Sequence, residues 1–160
     1  RDIPYYLQWD RRWGQNKYTD DNIAINGCGP TSMAMVISGL LKDNSITPVE
    51  LAKYEEYSEK SGTGWEYFTE IPKKYGIKVK ELSTNEKIYK NELKNGRPII
   101  ANVGPGDFSS TGHYIVLVGV DEDGMFIIND SNSPTNTNEK WSFERLRTQI
   151  KNSWSFVKGE

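Results

Sequence analysis

Two side chains of this sequence could form a nucleophile and its base. The chain of 160 residues has one cysteine, Cys28, and one histidine, His113. Cys28 opens an apolar run with helical spacing, and the N-terminus of a helix supplies unpaired N–H groups and a positive dipole end that favour a thiolate. His113 begins a strand-like run. The pair indicates a cysteine nucleophile with a histidine base; the alternative for Cys28 is a buried free thiol that packs as a small hydrophobic residue.

The neighbours of Cys28 predict its helix. Pro30 suits the first turn, where no N–H is needed, and apolar residues recur at helical spacing as far as Leu41. We therefore expect a helix from Cys28 to Leu41. The flanking Gly27 and Gly29 are expected to leave the sulfur uncrowded and to let a substrate carbonyl approach the backbone closely.

A carboxylate could orient the imidazole. Two strand-like runs joined by a short acidic link predict an antiparallel hairpin. Closing this hairpin with Val120 opposite Met125 places Asp130 diagonally from His113 on the same face of the sheet, within side-chain reach. Asp130 is therefore expected to orient His113, and Asn132 would replace it if the register slipped by two residues. The alternatives are a turn acid that bonds its own backbone and a histidine exposed at a strand end.

The pattern changes from helical to strand-like near Gly96. Two capping boxes, Thr47–Glu50 and Ser83–Glu86, each predict the start of a helix, and a further helix is expected over 65–75, ended by Gly76. Runs of β-branched and aromatic residues predict strands at 98–103, 113–120, 125–130 and 154–157. Helices followed by an antiparallel sheet predict an α+β fold in which the nucleophile's helix packs on the sheet.

One loop and several aromatic side chains could line a cleft. The Gly- and Ser-rich segment 104–112 directly precedes His113 and is expected to border the cleft and to move over a substrate. Helical spacing predicts that three aromatic residues lie in the core: Trp65, Phe68 and Tyr75. Three less periodic aromatic residues are candidates for the cleft: Trp9, Trp13 and Tyr18.

The composition excludes several classes of function. With 20 basic and 22 acidic residues the net charge is −2, and without a Lys/Arg run nucleic acid is not an expected partner. No apolar run approaches the roughly 20 residues of a membrane-spanning helix. One cysteine allows no internal disulfide, and with only one histidine a Cys/His zinc site is not expected. We expect neither a metal nor a cofactor. An apolar content of 36% is enough for one domain over residues 1–160.

These features together resemble the papain-like peptidases related to the bacteriocin-leader, or double-glycine, peptidases, in their free-standing bacterial form. The start of a helix at Cys-Gly-Pro and the start of a strand at Gly-His are the most specific of the shared motifs. The resemblance runs through Ile3–Asp10 with Trp13, Gly27–Ala34, Gly64–Trp65, Tyr75–Gly76, Gly96–Ala101, Gly112–Tyr114 and Asn129–Asp130. Many relatives have a proline directly after the aspartate, where this chain has Ser131.

The resemblance implies a papain-like fold and a role for each site residue. It makes Cys28 the nucleophile, His113 the general base and later the acid, and Asp130 the residue that orients His113. It also implies that Gln8 donates a side-chain N–H to the oxyanion beside the backbone N–H of Cys28. Asn22, six positions before the cysteine, is a competing donor.

We therefore expect a cysteine peptidase that cleaves peptide or isopeptide bonds of a peptide or protein substrate through an acyl-enzyme thioester, acting as a monomer. Two alternatives keep the same fold. One is a catalytically idle module that holds a peptide or a cell-wall polymer, and the other is an acyltransferase or cell-wall amidase that uses the same residues. The resemblance and a first residue, Arg1, that is not Met suggest an extracellular or cell-surface location.

Overall fold

The computed structural model describes residues 2–160. The α-helices are α1 (Ile23–Asn26), α2 (Cys28–Leu41), α3 (Pro48–Leu51), α4 (Glu66–Glu70), α5 (Glu86–Lys94), α6 (Pro134–Asn138) and α7 (Phe143–Arg147), and a 3-10 helix spans Ile71–Tyr75. The strands are β1 (Lys17–Tyr18), β2 (Asp21–Asn22), β3 (Ser58–Glu59), β4 (Gly62–Thr63), β5 (Ile77–Glu81), β6 (Ile99–Val103), β7 (His113–Val120), β8 (Phe126–Asn129), β9 (Lys140–Trp141) and β10 (Ile150–Lys158). Within this part of the chain no helix is long and apolar enough to cross a bilayer.

A six-stranded antiparallel sheet forms the centre of the molecule, with the strand order β5-β10-β6-β7-β8-β9. Helix α2 packs on this sheet against β7. The predicted α+β architecture, with the helix of Cys28 on an antiparallel sheet, is confirmed. The predicted strands correspond to β6, β7, β8 and β10, whereas the edge strands β5 and β9 were not predicted.

Strand β7 is covered on both faces. Tyr114 and Val116 pack into the core that contains α2, and Ile115 and Leu117 pack into a second core that contains α5. Burial on both faces explains why the sequence of β7 is continuously apolar rather than alternating. The strand that begins at His113 is therefore fixed by packing from two sides.

The predicted bounds of α2 are confirmed, whereas the two predicted capping boxes are wrong. Helix α2 spans the predicted residues, but the Thr47 side chain makes no capping hydrogen bond at α3, and the Glu50 carboxylate accepts a hydrogen bond from the Tyr75 hydroxyl instead. Helix α5 is capped by the side-chain oxygen of Asn85 rather than by Ser83. In each predicted box the glutamate thus has no reciprocal partner, and α3 is a single turn.

The predicted helix over 65–75 is divided in two. Helix α4 continues as the 3-10 helix, in which Pro72 occupies one of the first positions and lacks an N–H for an α-helical bond. Gly76 ends it with a φ of 71° and Gly96 follows α5 with a φ of 74°, both in the left-handed region. The predicted end of the helix at Gly76 is confirmed, and Gly96 lies where the pattern was predicted to change from helical to strand-like.

The hairpin of β7 and β8 corrects the predicted register near its turn. Val120 pairs with Phe126, one residue beyond the predicted partner. A bulge at Val118 then adds one residue to β7. Beyond the bulge Val116 pairs with Asn129, which is the predicted alignment.

Candidate active site

Cys28 is the first residue of α2 and is half-buried. The residue before it, Gly27, has no side chain that could cap the helix, so the N–H groups of the first turn stay near the sulfur. The backbone N–H of Tyr114, in β7, donates a hydrogen bond to the Cys28 sulfur. The thiol is therefore placed between a helix N-terminus and the start of β7.

The two glycines beside Cys28 are needed for packing within the protein. A Cβ atom on Gly27 would lie 2.5 Å from the carbonyl oxygen of Ile23, and one on Gly29 would lie 2.3 Å from Oγ1 of Thr63. These contacts give the glycines a packing role that the sequence did not indicate, and their predicted effect on access to the sulfur stays a prediction. They allow α1 to join α2 directly and β4 to approach the helix closely.

His113 contacts both of its predicted partners. Its Nε2–H donates a hydrogen bond of 2.7 Å to Oδ1 of Asp130, and the ring also forms a hydrogen bond with Cys28. Because Nε2 is engaged by the carboxylate, Nδ1 is the ring nitrogen left for the sulfur. The structure thus brings sulfur, imidazole and carboxylate into one hydrogen-bonded line.

Asp130 directly follows β8 and is fully buried. Its Oδ1 also accepts the backbone N–H of Asn132 at 2.9 Å, and its Oδ2 accepts a hydrogen bond from Nδ2 of Asn136 at 3.1 Å. The backbone N–H of Asp130 donates to Oγ1 of Thr137. Each carboxylate oxygen therefore has a donor besides the imidazole, which fixes the rotation of the group.

Two residues near Asp130 differ from the sequence interpretation. Asn132, the alternative orienting residue, exposes its side chain and contributes only its backbone N–H. Asn136 was not predicted. A signal for it exists in Ser133 and Pro134, an N-cap followed by proline at the first helical position, because this short helix α6 turns the chain back toward Asp130.

The charges of the site shift two pKa values in opposite directions. Burial alone would raise the pKa of the Cys28 thiol, but the charge and hydrogen bond of His113 and the N–H of Tyr114 outweigh burial and lower it. Burial likewise opposes a charged imidazole, yet the Cys28 charge and the hydrogen bonds from Asp130 and Cys28 raise the pKa of His113 to about 10. Both shifts favour a thiolate paired with an imidazolium.

Gln8 connects the segments that carry Cys28 and Asp130. Its backbone N–H donates to the Ser131 carbonyl oxygen, and its Oε1 accepts the Ser131 hydroxyl, both at 2.8 Å. Its Nε2 donates to the carbonyl oxygen of Ala24, in α1, at 3.0 Å. The side chain is almost fully buried. Ser131, which stands where many relatives have proline, thus supplies the hydroxyl that holds Gln8.

Asn22, the competing donor, is used in another way. It is the N-cap of α1, and its side-chain oxygen accepts the backbone N–H of Ile25 at 3.0 Å. A capping side chain is held against its own helix. The structure therefore favours Gln8 over Asn22 as the polar side chain tied to both halves of the site.

An open cleft of about 570 Å³ gives access to the thiol and the imidazole. Its floor includes Cys28, His113 and Tyr114, one wall is the hairpin of β3 and β4 with Trp65, and the opposite wall is formed by 111–112 at the end of the predicted loop. The prediction that this loop borders the cleft is confirmed. A larger cavity, of about 940 Å³, lies between β5 and α5 and is lined by none of the predicted site residues.

The aromatic residues were assigned wrongly in part. Trp65, expected in the core, is 50% exposed on the cleft wall, where its Nε1–H donates to Oδ1 of Asn102. Nδ2 of Asn102 in turn donates to the His113 carbonyl oxygen. Among the cleft candidates, Trp13 and Tyr18 are buried in a core of their own. Helical spacing alone does not distinguish a wall of a cleft from a core.

Within residues 2–160 no group of three or more His, Cys, Asp or Glu side chains is arranged to hold a metal ion. The titratable side chains that line the cleft are those of Cys28, Glu59, His113 and Tyr114. The chemistry available from these groups is nucleophilic attack by sulfur with proton transfer through the imidazole.

Comparisons with known proteins identify a family and a fold for this chain. The sequence model of the family described as "Peptidase_C39 like family" matches residues 1–160. No curated protein matches the chain significantly. Among solved structures, the peptidase domain of ComA from Streptococcus, a bifunctional ABC transporter involved in a quorum-sensing pathway, is 22% identical, with a TM-score of 0.62 over 99% of this chain and 99% of that chain.

Two further structures are similar over almost the whole chain. A double-glycine-motif protease from an AMS/PCAT transporter, solved in complex with the leader peptide, is 20% identical, with a TM-score of 0.62 over 97% of this chain and 89% of that chain. A proposed C39-like peptidase from Bacillus anthracis is 16% identical, with a TM-score of 0.63 over 98% of this chain and 94% of that chain. At these identities the likeness shows the fold, which is papain-like.

Proposed function

The chain belongs to the Peptidase_C39-like family and is a cysteine-type peptidase, and from that premise we propose that it hydrolyses peptide or isopeptide bonds through a triad of Cys28, His113 and Asp130. One observation carries the proposal. The His113 ring forms hydrogen bonds with both the fully buried Asp130 and Cys28, and Cys28 stands at a helix N-terminus. A nucleophile, its base and an orienting carboxylate in this order are the parts that acyl transfer requires.

The mechanism begins from the thiolate and imidazolium. Sγ of Cys28 bonds to the substrate carbonyl carbon, and the carbonyl electrons move to oxygen to give a tetrahedral oxyanion. When the oxyanion collapses, the C–N bond breaks and the leaving nitrogen takes the proton of His113, which leaves a thioester and a free amine. His113, now neutral, removes a proton from water. The hydroxide displaces Sγ, the carboxylic acid leaves, and the thiolate–imidazolium pair is restored.

The oxyanion would be held by the Cys28 backbone N–H and by Nε2 of Gln8. One Nε2 hydrogen is bonded to Ala24, and the second has no acceptor within residues 2–160. Fixed donors of this kind stabilise the charge that develops on oxygen, because they need not reorient during the reaction. The two bonds to Ser131 and the one to Ala24 would hold the amide in place.

A peptide is the substrate class that we propose. The open cleft that contains Cys28 is lined by the β3–β4 hairpin and by residues 111–112, and its volume of about 570 Å³ can accept a segment of a peptide. The similar double-glycine-motif protease was solved with a leader peptide bound, which supports a peptide ligand. The same residues would perform acyl transfer if an amine reached the thioester before water did.

The test compares the wild-type chain with single variants on a diverse peptide library. Cys28→Ala and His113→Ala should each abolish cleavage while leaving the fold intact, because one removes the nucleophile and the other the base. Asn132→Ala is a matched control, since that side chain is exposed and not in the triad. Retained hydrolysis by Cys28→Ala would overturn the proposal. Mass spectrometry of products formed with an added amine separates hydrolysis from transfer.

A further inference from the structure

The lining of the cleft carries one carboxylate. Among the described residues that line it, Glu59 in β3 is the one side chain that is charged besides the Cys28–His113 pair, and neither lysine nor arginine lines it. The thiolate and imidazolium together have no net charge. The cleft therefore has a net negative charge that is located on one wall.

Glu59 has no partner of its own. Its side chain is exposed, and within residues 2–160 it takes part in no ion pair. Two other acids of this chain, Asp107 and Asp121, are paired with Arg145 and Lys140. The carboxylate of Glu59 is therefore free to accept a cation from outside the protein.

The backbone around Glu59 is firmly held beside the site. The hydroxyl of Tyr18 forms hydrogen bonds with Oγ of Ser58 and with Oγ1 of Thr63, the two strand residues that pair across the hairpin. The hydroxyl of Tyr114 donates to the carbonyl oxygen of Thr63 at 2.6 Å. Since Tyr114 follows His113 in β7, the hairpin is fastened to the strand that carries the catalytic base.

Open space lies next to the carboxylate. Glu59 pairs with Gly62 across the hairpin, and a Cβ atom placed on Gly62 would meet nothing within 4 Å. Gly62 is also part of the cleft lining. A side chain of a bound peptide can therefore lie over Gly62 with its end group beside Glu59.

We propose that Glu59 selects peptides with a lysine or arginine side chain close to the scissile bond. This inference rests on the proposed peptidase function and adds a substrate class to it. A cation beside Glu59 neutralises the one carboxylate that lines the cleft, whereas an acidic residue there would be repelled. Exposed ion pairs are weak, so the expected preference for lysine over its neutral analogue glutamine is about two- to fivefold in kcat/KM.

The experiment uses a peptide that the wild-type chain cleaves, with lysine, arginine, glutamine or glutamate placed in turn at each of the positions flanking the scissile bond. At one or more positions lysine and arginine should exceed glutamine, and glutamate should be the poorest. Glu59→Gln should remove this ranking, and Glu59→Lys should reverse it. Glu56→Gln is the matched control, because Glu56 is exposed, three residues away and not in the cleft lining.

Binding provides a measurement that does not depend on turnover. Fluorescence anisotropy measures the binding of two dye-labelled peptides that differ only by lysine or glutamine. Cys28→Ala should bind the lysine peptide more tightly, and Cys28→Ala/Glu59→Gln should bind the two peptides equally. Salt near 1 M, where the Debye length is about 3 Å, should weaken the preference. Cleavage without a preference for a cationic side chain, or a preference that is unchanged in Glu59→Gln, overturns the role of Glu59 but leaves the peptidase function standing. Binding with preference but no cleavage by the wild type instead contradicts the peptidase mechanism.

Discussion

Nε2 of His113 lies 2.7 Å from Oδ1 of Asp130, and both side chains are almost fully buried. A buried carboxylate that accepts a hydrogen bond from an imidazole favours its protonated form, and the neighbouring thiolate does the same. Together these groups raise the pKa of His113 to about 10. The first prediction follows from this value.

The pH dependence should have two limbs. Since the pKa of Cys28 is lowered and that of His113 is raised to about 10, the reactive ion pair exists between the two values. Peptide cleavage should fall as pH rises through about 10, because His113 then has no proton for the leaving amine. Iodoacetamide should label Cys28 stoichiometrically at neutral pH, as measured by intact-protein mass spectrometry.

The same labelling in His113→Ala provides the control. Loss of the imidazolium removes both its charge and its hydrogen bond, so that the thiol returns toward an ordinary pKa, with only a few per cent thiolate at pH 7. We expect labelling at pH 7 to slow at least about tenfold and to recover at alkaline pH. Equal labelling rates in the two proteins would show that His113 does not activate the thiol.

Substitution of Asp130 should separate charge from geometry. Asp130→Asn keeps an oxygen for the His113 N–H but removes the charge, so the alkaline limb of the pH profile should move to lower pH. Asp130→Ala also removes the acceptor and should lower kcat by about 10²- to 10⁴-fold. An unchanged alkaline limb in Asp130→Asn would argue against an electrostatic role. Circular dichroism should first establish that both variants fold.

Asn136 should act as a positioning residue for Asp130. Its Nδ2 donates to the carboxylate oxygen that does not face the imidazole, and hydrogen bonds to charged groups contribute about 1.5–3 kcal/mol. Asn136→Ala should lower kcat/KM about tenfold or more and shift the alkaline limb downward, because the carboxylate can then rotate. Asn132→Ala should change neither, since its backbone N–H remains. A fall in thermal stability without a shift in the pH profile would indicate a structural role only.

Substitution of Gln8 should lower kcat more than substitution of Ser131, which contacts it. Gln8→Ala removes the Nε2 donor and should lower kcat by about 10²- to 10³-fold, as expected for a lost oxyanion donor. Ser131→Ala keeps that donor and removes only the hydrogen bond to Oε1, worth about 1 kcal/mol of stability. Thermal denaturation measured beside kcat distinguishes the two effects. Equal losses of kcat in both variants would indicate that Gln8 acts only through folding.

Local patterns predicted much of the site. The start of α2 at Cys28 and the start of β7 at His113 were visible because each depends on neighbours in sequence: a proline in a first turn and a run of apolar residues. Asp130 required the register of a hairpin, which was one residue off near Val120 but right beyond Val118. The family resemblance supplied Gln8, whose contacts to Ser131 and Ala24 join distant parts of the chain.

Tertiary features were not predictable from these patterns. The hairpin of β3 and β4 has two residues in each strand and is held by Tyr18 and Tyr114. Strands this short show no alternating hydrophobic pattern from which they could be predicted. Glu59 and Trp65 reach the cleft through this hairpin, and spacing alone placed Trp65 in the core. The single domain, the monomeric state and the extracellular or cell-surface location stay predictions.

The extra residue at Val118 decides which way Asp130 faces. Asn129 pairs with Val116 and its Nδ2 contacts Met35 of α2, so the next residue points to the other side of the sheet, where Ile115 lies. Without the extra residue, Asn129 and Asp130 would exchange sides of the sheet. The Asn129 amide would then lie on the side of His113 and Ile115, and the Asp130 carboxylate would face the apolar helix α2. The number of residues in β7 between His113 and the loop, odd or even, thus sets the side of the sheet on which the Asp130 carboxylate lies.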